Sequence, residues 1–252
     1  QVVLIVGDWT AQIGDPSGQS ATRQMLSEEE VKANAETYMR QFFKVVDRAR
    51  SQVYWQSEWF GKFTLADVIR LTSRFTVAQL LQRDDFAKRY KENRPIALTE
   101  MLYPLLQAYD SVMVEADVEF GGTDQRFNCL LGRELQAAVG QKPQQVFLVP
   151  ILPGTDGVQK MSKSLDNYIA VEEPPEEMYG KVMSLPDSLL PTTADAVVYV
   201  GRDGKATSLA GSLLLVYFDL LTDVPDGELA RMKAEMEGQR VNPMALKKRL
   251  GW

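Results

Sequence analysis

The stretch QVVLIVGDWTAQIGDPSG, residues 1–18, decides how the rest of the chain is read. Residues 2–6 are apolar and mostly β-branched, the pattern of a strand buried on both faces of a parallel sheet. A glycine-bearing loop follows, and then SEEEVKANAETYMRQFFKVVDRA (27–49). In it Ser27 and Glu30 form a capping box, and Met39, Phe42, Phe43 and Val46 recur at helical spacing. Strand, loop and amphipathic helix in that order make the first half of a parallel βαβ unit. A chain that opens on a core strand carries the expectation of a segment before Gln1.

Working outward, the same alternation repeats. VYW (53–55) reads as a second strand, and two helices are expected to begin at Thr64 and Thr76, each offering a cap hydroxyl. The second runs on into DDFAKRYKENR. VMVEADVEFGGTDQ (112–125) gives a strand and a glycine turn, a helix runs through NCLLGRELQAAV to stop at Gly140, and VFLV (146–149) is a further strand. The expectation is a mainly parallel α/β sheet of Rossmann type, with ligands along the carboxyl ends of its strands. From about residue 174 the pattern turns helical, in PPEEMYGKVM and again from Leu213. Between them AVVYVGRDGKATS alternates around an RDGK turn and suggests a small hairpin. The division expected is a Rossmann-type domain over 1–173, with a helical connecting insertion at about 60–95, and a mainly helical region over 174–252.

Composition narrows the chemistry. The 252 residues are 45% hydrophobic and 25% charged, with no run approaching the length of a membrane-spanning helix, and no secretory signal pattern opens the chain. A cytoplasmic location without membrane association is expected. The chain has no histidine and one cysteine, Cys129, which excludes an internal disulfide, a cysteine-rich metal site and serine–histidine chemistry. A reaction here runs on carboxylates, lysines, amides and backbone groups. The net charge of −6 argues against a strongly basic nucleic-acid platform and leaves room for local basic patches.

Two motifs carry chemistry of their own. In YPLLQAYD (103–110) Tyr103, Gln107 and Asp110 stand at i, i+4 and i+7, one stripe of a helix, so a phenol, an amide and a carboxylate can converge on one object. A solvated helix face is the plainer reading of that triplet, since Gln and Asp are mostly exposed. Pro104 implies that regular helical bonding starts near it, with Tyr103 at or beside the cap. KMSKS (160–164) places Lys160 and Lys163 three apart among small hydroxyl residues on a glycine-flanked loop, where they can grip phosphate and stabilise charge on a leaving pyrophosphate.

KMSKS after such a sheet resembles the class I aminoacyl-tRNA synthetases. GDPSG (14–18), YPLLQAYD and GGTDQ (121–125), in that order and spacing, resemble the tyrosyl-tRNA synthetases, as do RDDF (83–86) and the closing VNPMALKKRL. The resemblance implies ATP-dependent activation of L-tyrosine to tyrosyl-adenylate, with Mg²⁺ accompanying ATP and no protein-bound metal, then transfer to tRNA(Tyr). The tyrosine carboxylate, with an α-carboxyl pKa of about 3.3–3.7, is already ionised and needs no general base. It further implies that Asp110 receives the substrate phenol, that Asp15, Tyr103 and Gln107 surround its ammonium group, and that Gln125 lies beside its carboxyl group. Gly122 and Asp124 match the ribose site, and Lys160, Met161, Ser162 and Lys163 the phosphate loop. Thr10 ranks second as a pocket residue, a hydroxyl bonded to its own backbone being the alternative. Trp59 can pack near the same pocket, although a tryptophan after a strand is usually core, the reading preferred here.

The resemblance also implies a homodimer, with the helical region around Phe63 to Lys91 as interface. Three departures qualify it. The family's HxGH motif and first-strand tyrosine should lie upstream of Gln1, no basic tRNA-binding module follows Trp252, and residues 192–212 look inserted. The expectation is an internal portion of a longer enzyme. The tryptophanyl-tRNA synthetases, or an inactive protein that keeps a tyrosine or nucleotide pocket for regulation, are the alternatives.

Overall fold

The computed structural model describes residues 1–14, 27–157, 159–162, 165–187, 199–200, 206–207 and 212–252. Two compact units emerge, Gln1–Val149 and Pro150–Trp252.

In the first unit β1 (Val2–Val6) leads through α1 (Asp8–Ile13) and α2 (Glu28–Phe42) to β2 (Ser51–Trp55), which pairs with β1 in parallel from Val2↔Ser51 to Val6↔Trp55. The capping box expected at α2 is complete: Ser27 Oγ accepts from Glu30 N at 3.3 Å, and the Glu30 carboxylate accepts from Ser27 N at 2.8 Å. The helix ends at Phe42 instead of continuing to Ala49. Asp47 accepts from Ala49 N at 2.9 Å and starts a 3₁₀ turn, Arg48–Arg50, so its side chain offers the backbone an alternative to the helical ladder.

Next come α3 (Ser57–Phe60), α4 (Leu65–Thr72), α5 (Val77–Leu80) and α6 (Asp84–Lys91). Thr64 and Thr76 cap α4 and α5 as expected; Asp67 and Gln79 accept from their backbone N–H groups, each at 2.9 Å. The helix expected from Thr76 through the charged stretch is broken in two at Arg83. That residue is extended, and its buried guanidinium reaches Asp85 Oδ1 at 2.8 Å and Asn128 Oδ1 at 3.3 Å. Burial of one arginine there outweighs helical continuity.

The opening of α7 (Leu98–Met113) corrects the reading of Tyr103. The helix starts at Leu98, Pro104 lies inside it, and Tyr103 is a mid-helix residue. Pro104 removes one i→i−4 bond, but the first turn is held independently. Glu100 accepts from Ala97 N at 3.0 Å and makes a two-pronged, buried ion pair with Arg89, whose guanidinium also donates to Pro95 O. After α7, β3 (Val118–Gly122) enters a 3₁₀ turn, Thr123–Gln125, then α8 (Arg126–Ala138), and β4 (Gln145–Val149) pairs with β3 in parallel. Gly140 past α8 has φ +83°, the left-handed turn expected of it.

Both helix-crossed strand pairs are parallel, the arrangement of a Rossmann-type α/β fold. Leu105 and Ala108 of α7 pack on Leu131 and Leu135 of α8, with Leu71 and Leu80 completing the cluster. The two helices approach closely at Gly132, where a Cβ would stand 2.6 Å from Ser111 Oγ.

In the second unit α9 (Pro175–Met183) is followed by β5 (Tyr199–Val200) and β6 (Ala206–Thr207), an antiparallel pair where the hairpin was expected. Its RDGK turn, 202–205, lies outside the described residues, as does most of the apparent insertion. Then come α10 (Leu213–Leu221), α11 (Asp226–Glu237) and α12 (Pro243–Gly251). α10 is apolar over most of its surface because it is the centre of this unit: Leu213, Leu214, Tyr217 and Phe218 are buried against Val182, Leu185, Met232 and Leu246.

Candidate active site

Segments at the carboxyl ends of two parallel strands, together with one helix, assemble the polar centre of the first unit. Gly7 follows β1 and Thr10 stands in the short helix α1, the residue after β2 is Gln56, and α7 brings Asp110 to them. Thr10 N donates to Gln56 Oε1 at 2.9 Å, and the Thr10 hydroxyl lies 3.0 Å from the same oxygen and 3.2 Å from Gly7 O. A backbone N–H can only donate, so Gln56 must present its oxygen to Thr10 and its amide nitrogen to the other side. There Gln56 Nε2 donates to Asp110 Oδ2 at 2.6 Å. Trp59 Nε1 donates to Asp110 Oδ1 at 3.1 Å. Gly7 belongs to the same construction, since a Cβ there would stand 2.4 Å from Thr10 Oγ1.

All four side chains of this network are buried. Burial pushes the Asp110 carboxyl up to about 8; the two hydrogen bonds act against that rise, and the charges of Glu119 and Asp8 add to it. Each oxygen has one donor and capacity for another. A carboxyl so poorly solvated gains from one more O–H donor, which is the chemistry of a phenol-recognising acceptor.

The other two members of the stripe stand on the same helix, half-buried. Tyr103 lies one turn before Gln107, and Gln107 Nε2 donates to Glu119 Oε1 on β3 at 3.2 Å. Glu119 Oε2 accepts from Gln144 Nε2 at 2.5 Å and Ser111 Oγ at 3.3 Å. Burial and the nearby Glu119 carboxylate push the Cys129 thiol up to about 12, so it behaves as an inert core group. At the carboxyl end of β3, Gly122 closes the strand, Asp124 is exposed, and Gln125 Oε1 accepts from Asn128 Nδ2 at 2.8 Å. Asp15 lies outside the described residues.

A pocket of about 610 Å³ opens beside α1 and α2, lined by Asp8, Trp9, Lys32, Met39, Trp55 and Ser57 among others, chain neighbours of Thr10 and Gln56 included. Among the described residues, none of the tyrosine contacts expected from the sequence lines it.

In the second unit the lysine loop is built around Asn167, which is buried. Its Oδ1 accepts from Ser162 N at 2.8 Å, and its Nδ2 donates to Asp156 Oδ2 at 2.8 Å and reaches Lys160 O at 3.3 Å. Lys160 bridges back to Pro153, and Tyr217 of α10 donates to Pro153 O at 2.9 Å. Met161 packs on the core of this unit. Lys160, Met161 and Ser162 are therefore carried on backbone tied to buried groups; Lys163 lies outside the described residues.

Reasoning from sequence missed Gln56 and Glu119, and preferred core over the pocket for Trp59. Gln56 does carry a signal, being the first residue past a buried strand, where α/β folds put ligands. Glu119 sits inside an alternating strand and has none.

Comparison with known proteins places these features in context. Residues 1–250 match the family of class I tRNA synthetases (W and Y). The chain is 64% identical over 250 residues to a tyrosine–tRNA ligase of Dehalococcoides mccartyi (strain CBDB1), covering 99% of this chain and 57% of the relative. It is 51% identical to one of Moorella thermoacetica, covering 99% and 55%. The chain thus spans little more than half the length of these curated relatives. Among solved structures it resembles tyrosyl-tRNA synthetase complexed with L-tyrosine from Archaeoglobus fulgidus, with TM-score 0.67, 23% identity and coverage of 99% of this chain and 75% of that one. The tyrosyl-tRNA synthetase from Aeropyrum pernix gives TM-score 0.68 at 19% identity, with coverage of 99% and 71%. At those identities the likeness is one of fold.

Proposed function

This chain belongs to the class I tRNA synthetases (W and Y), and on that premise we propose that it is the greater part of the catalytic machinery of a tyrosine–tRNA ligase. The reaction is activation of L-tyrosine by ATP to tyrosyl-adenylate with release of pyrophosphate, followed by transfer of the tyrosyl group to tRNA(Tyr). The observation that carries the choice of amino acid is the buried Asp110, held by Gln56 and Trp59 with acceptor capacity to spare.

In this reading Asp110 takes the phenol hydroxyl, and a pocket built around that hydroxyl rejects phenylalanine because its own polar groups would be left unpaired, a discrimination known for the tyrosyl enzymes. Thr10 supports Asp110 through Gln56. Tyr103, Gln107 and Asp15 address the ammonium group, and Gln125 the carboxyl group. Gly122 permits close approach of the ATP ribose, whose hydroxyls donate to Asp124. The tyrosine carboxylate attacks the α-phosphorus already ionised, so these residues orient the reactants without moving a proton. Lys160 and Lys163 stabilise the charge that develops on pyrophosphate, with Met161 and Ser162 shaping the loop. Mg²⁺ enters with ATP, as the substrate's counter-ion.

Residues 1–173 act as the catalytic domain and 174–252 as the helical region beyond it, in a cytoplasmic enzyme. We further propose a homodimer through the region from Phe63 to Lys91, supported by the exposure there of Leu65, Ile69, Val77 and Tyr90; light scattering tests it, a monomer refuting it. No described helix is long and apolar enough to cross a membrane.

The deciding experiment is tyrosine-dependent exchange of pyrophosphate into ATP by the full-length protein. Exchange with tyrosine and none with phenylalanine is expected; no exchange with tyrosine overturns the reading.

A further inference from the structure

An amide side chain has a donor end and an acceptor end, and an ammonium ligand can use only the acceptor. Gln107 is useful to the amino end of tyrosine in one of its two orientations. Its neighbour on β3 decides which. Gln107 Nε2 donates to Glu119 Oε1 at 3.2 Å, and a carboxylate has no donor with which to meet the other end. The oxygen of Gln107 is thereby the end left for a ligand.

Glu119 is itself immobilised from the opposite side. Its second oxygen accepts from Gln144 Nε2 and Ser111 Oγ. Gln144 is fully buried; its backbone N–H donates to Gln136 Oε1 at 2.8 Å, and Gln136 Nε2 is bonded in turn to Ser111 O at 3.1 Å and Ala116 O at 3.0 Å. Glu119 therefore stands between two amide donors, one fixed by the core and one facing the stripe of Tyr103 and Asp110. A carboxylate satisfies both. Glutamine in its place has a single acceptor end, so its own N–H₂ must confront either Gln107 or Gln144.

We propose that Glu119 is a positioning and specificity residue for the amino end of tyrosine, acting by holding the Gln107 carbonyl oxygen toward the ligand's ammonium group. This rests on the reading of Tyr103, Gln107 and Asp110 as the tyrosine pocket. Glu119 contacts no substrate atom; it selects for an amine by fixing the acceptor that meets it.

The test compares two ligands that differ only at that end: L-tyrosine and its desamino analogue 3-(4-hydroxyphenyl)propanoate. Their dissociation constants are measured by calorimetry on full-length wild type, Glu119→Gln, Glu119→Asp and Ser111→Ala. Glu119→Gln raises the constant for tyrosine by about tenfold, the scale of one charge-assisted hydrogen bond, and leaves that of the desamino analogue unchanged. Glu119→Asp, which keeps the charge and withdraws the acceptor by one methylene, gives the same selective loss and decides the matter if Glu119→Gln does not fold. Ser111→Ala removes the weaker of the two donors on the far oxygen of Glu119 and leaves Gln144 in place, so it gives a smaller loss for tyrosine than Glu119→Gln and none for the desamino analogue; a loss as large for both ligands overturns the proposal. Equal losses for both ligands, or no loss for tyrosine, overturn the proposal while the pocket assignment stands. A wild type that binds neither ligand overturns the pocket assignment and this inference with it.

Discussion

Trp59 donates its indole Nε1–H to Asp110 Oδ1 over 3.1 Å, joining a residue of the short helix after β2 to the last polar member of the α7 stripe. The same indole packs edge-on against Phe60, with ring centroids 6.2 Å apart. Trp59→Phe keeps most of the packing and removes one of the two donors to Asp110. We expect a loss of about 1–3 kcal/mol in urea unfolding and weaker tyrosine binding with ATP affinity retained. Equal weakening of both ligands would assign Trp59 to packing alone.

Asp110 also sets a pH dependence. Its carboxyl is raised to about 8 in the folded protein, against about 3.9 in an unfolded chain. The folded state therefore holds a proton that the unfolded state releases, so this residue's contribution is fully present below about pH 4 and is lost as pH rises through about 8. Thermal unfolding followed from pH 5 to 9 should show Asp110→Asn gaining on wild type as pH increases. Parallel curves for the two proteins would refute the assignment.

Arg89 and Glu100 form a buried, two-pronged ion pair that ties α6 to the first turn of α7. Hydrogen bonding to Glu100 raises the arginine further above its ordinary value. Arg89→Met leaves a buried carboxylate without its partner and should cost about 3–5 kcal/mol in urea unfolding. The double change with Glu100→Leu should recover most of that loss, because the isolated charge is then gone.

Gly132 and Gly140 are both associated with α8 and should respond differently to alanine. At Gly132 the new Cβ meets Ser111 Oγ at 2.6 Å and Gln144 Nε2 at 3.0 Å, so those buried side chains must shift from their present bonds, a loss of about 1–3 kcal/mol. At Gly140 nothing lies within 4 Å, and only the positive φ of 83° is strained, costing about 1–2 kcal/mol. A Gly132→Ala protein with wild-type stability would mean the helix pair is less closely fitted than the distances indicate.

Lys160→Ala should slow formation of tyrosyl-adenylate while leaving the tyrosine dissociation constant unchanged. Asn167→Ala removes the bonds to Ser162 N and Asp156 that shape the same loop, and should lower the same rate in the same direction. Stopped-flow measurement of adenylate formation reads both, and unchanged rates would remove the loop from the chemical step.

Local chemistry announced the elements well and their ends less well. The caps at Ser27, Thr64 and Thr76 were legible because a hydroxyl and its partner three residues on are neighbours in the chain. The break at Arg83 was not, because its cause is a side chain bonded to Asn128, 45 residues away. Pro104 misled in the same way: its rule is local, but Arg89 and Glu100 hold the turn before it.

From periodicity alone, Tyr103, Gln107 and Asp110 share one stripe of a helix, and the parallel strands end where a ligand can sit. Which groups those side chains meet was decided by tertiary packing. Gln56 and Trp59 reach Asp110 across 54 and 51 residues, and Gln107 finds Glu119 on β3. Helical spacing is a property of consecutive residues, whereas a buried carboxyl and an oriented amide take their properties from the donors that close packing brings against them.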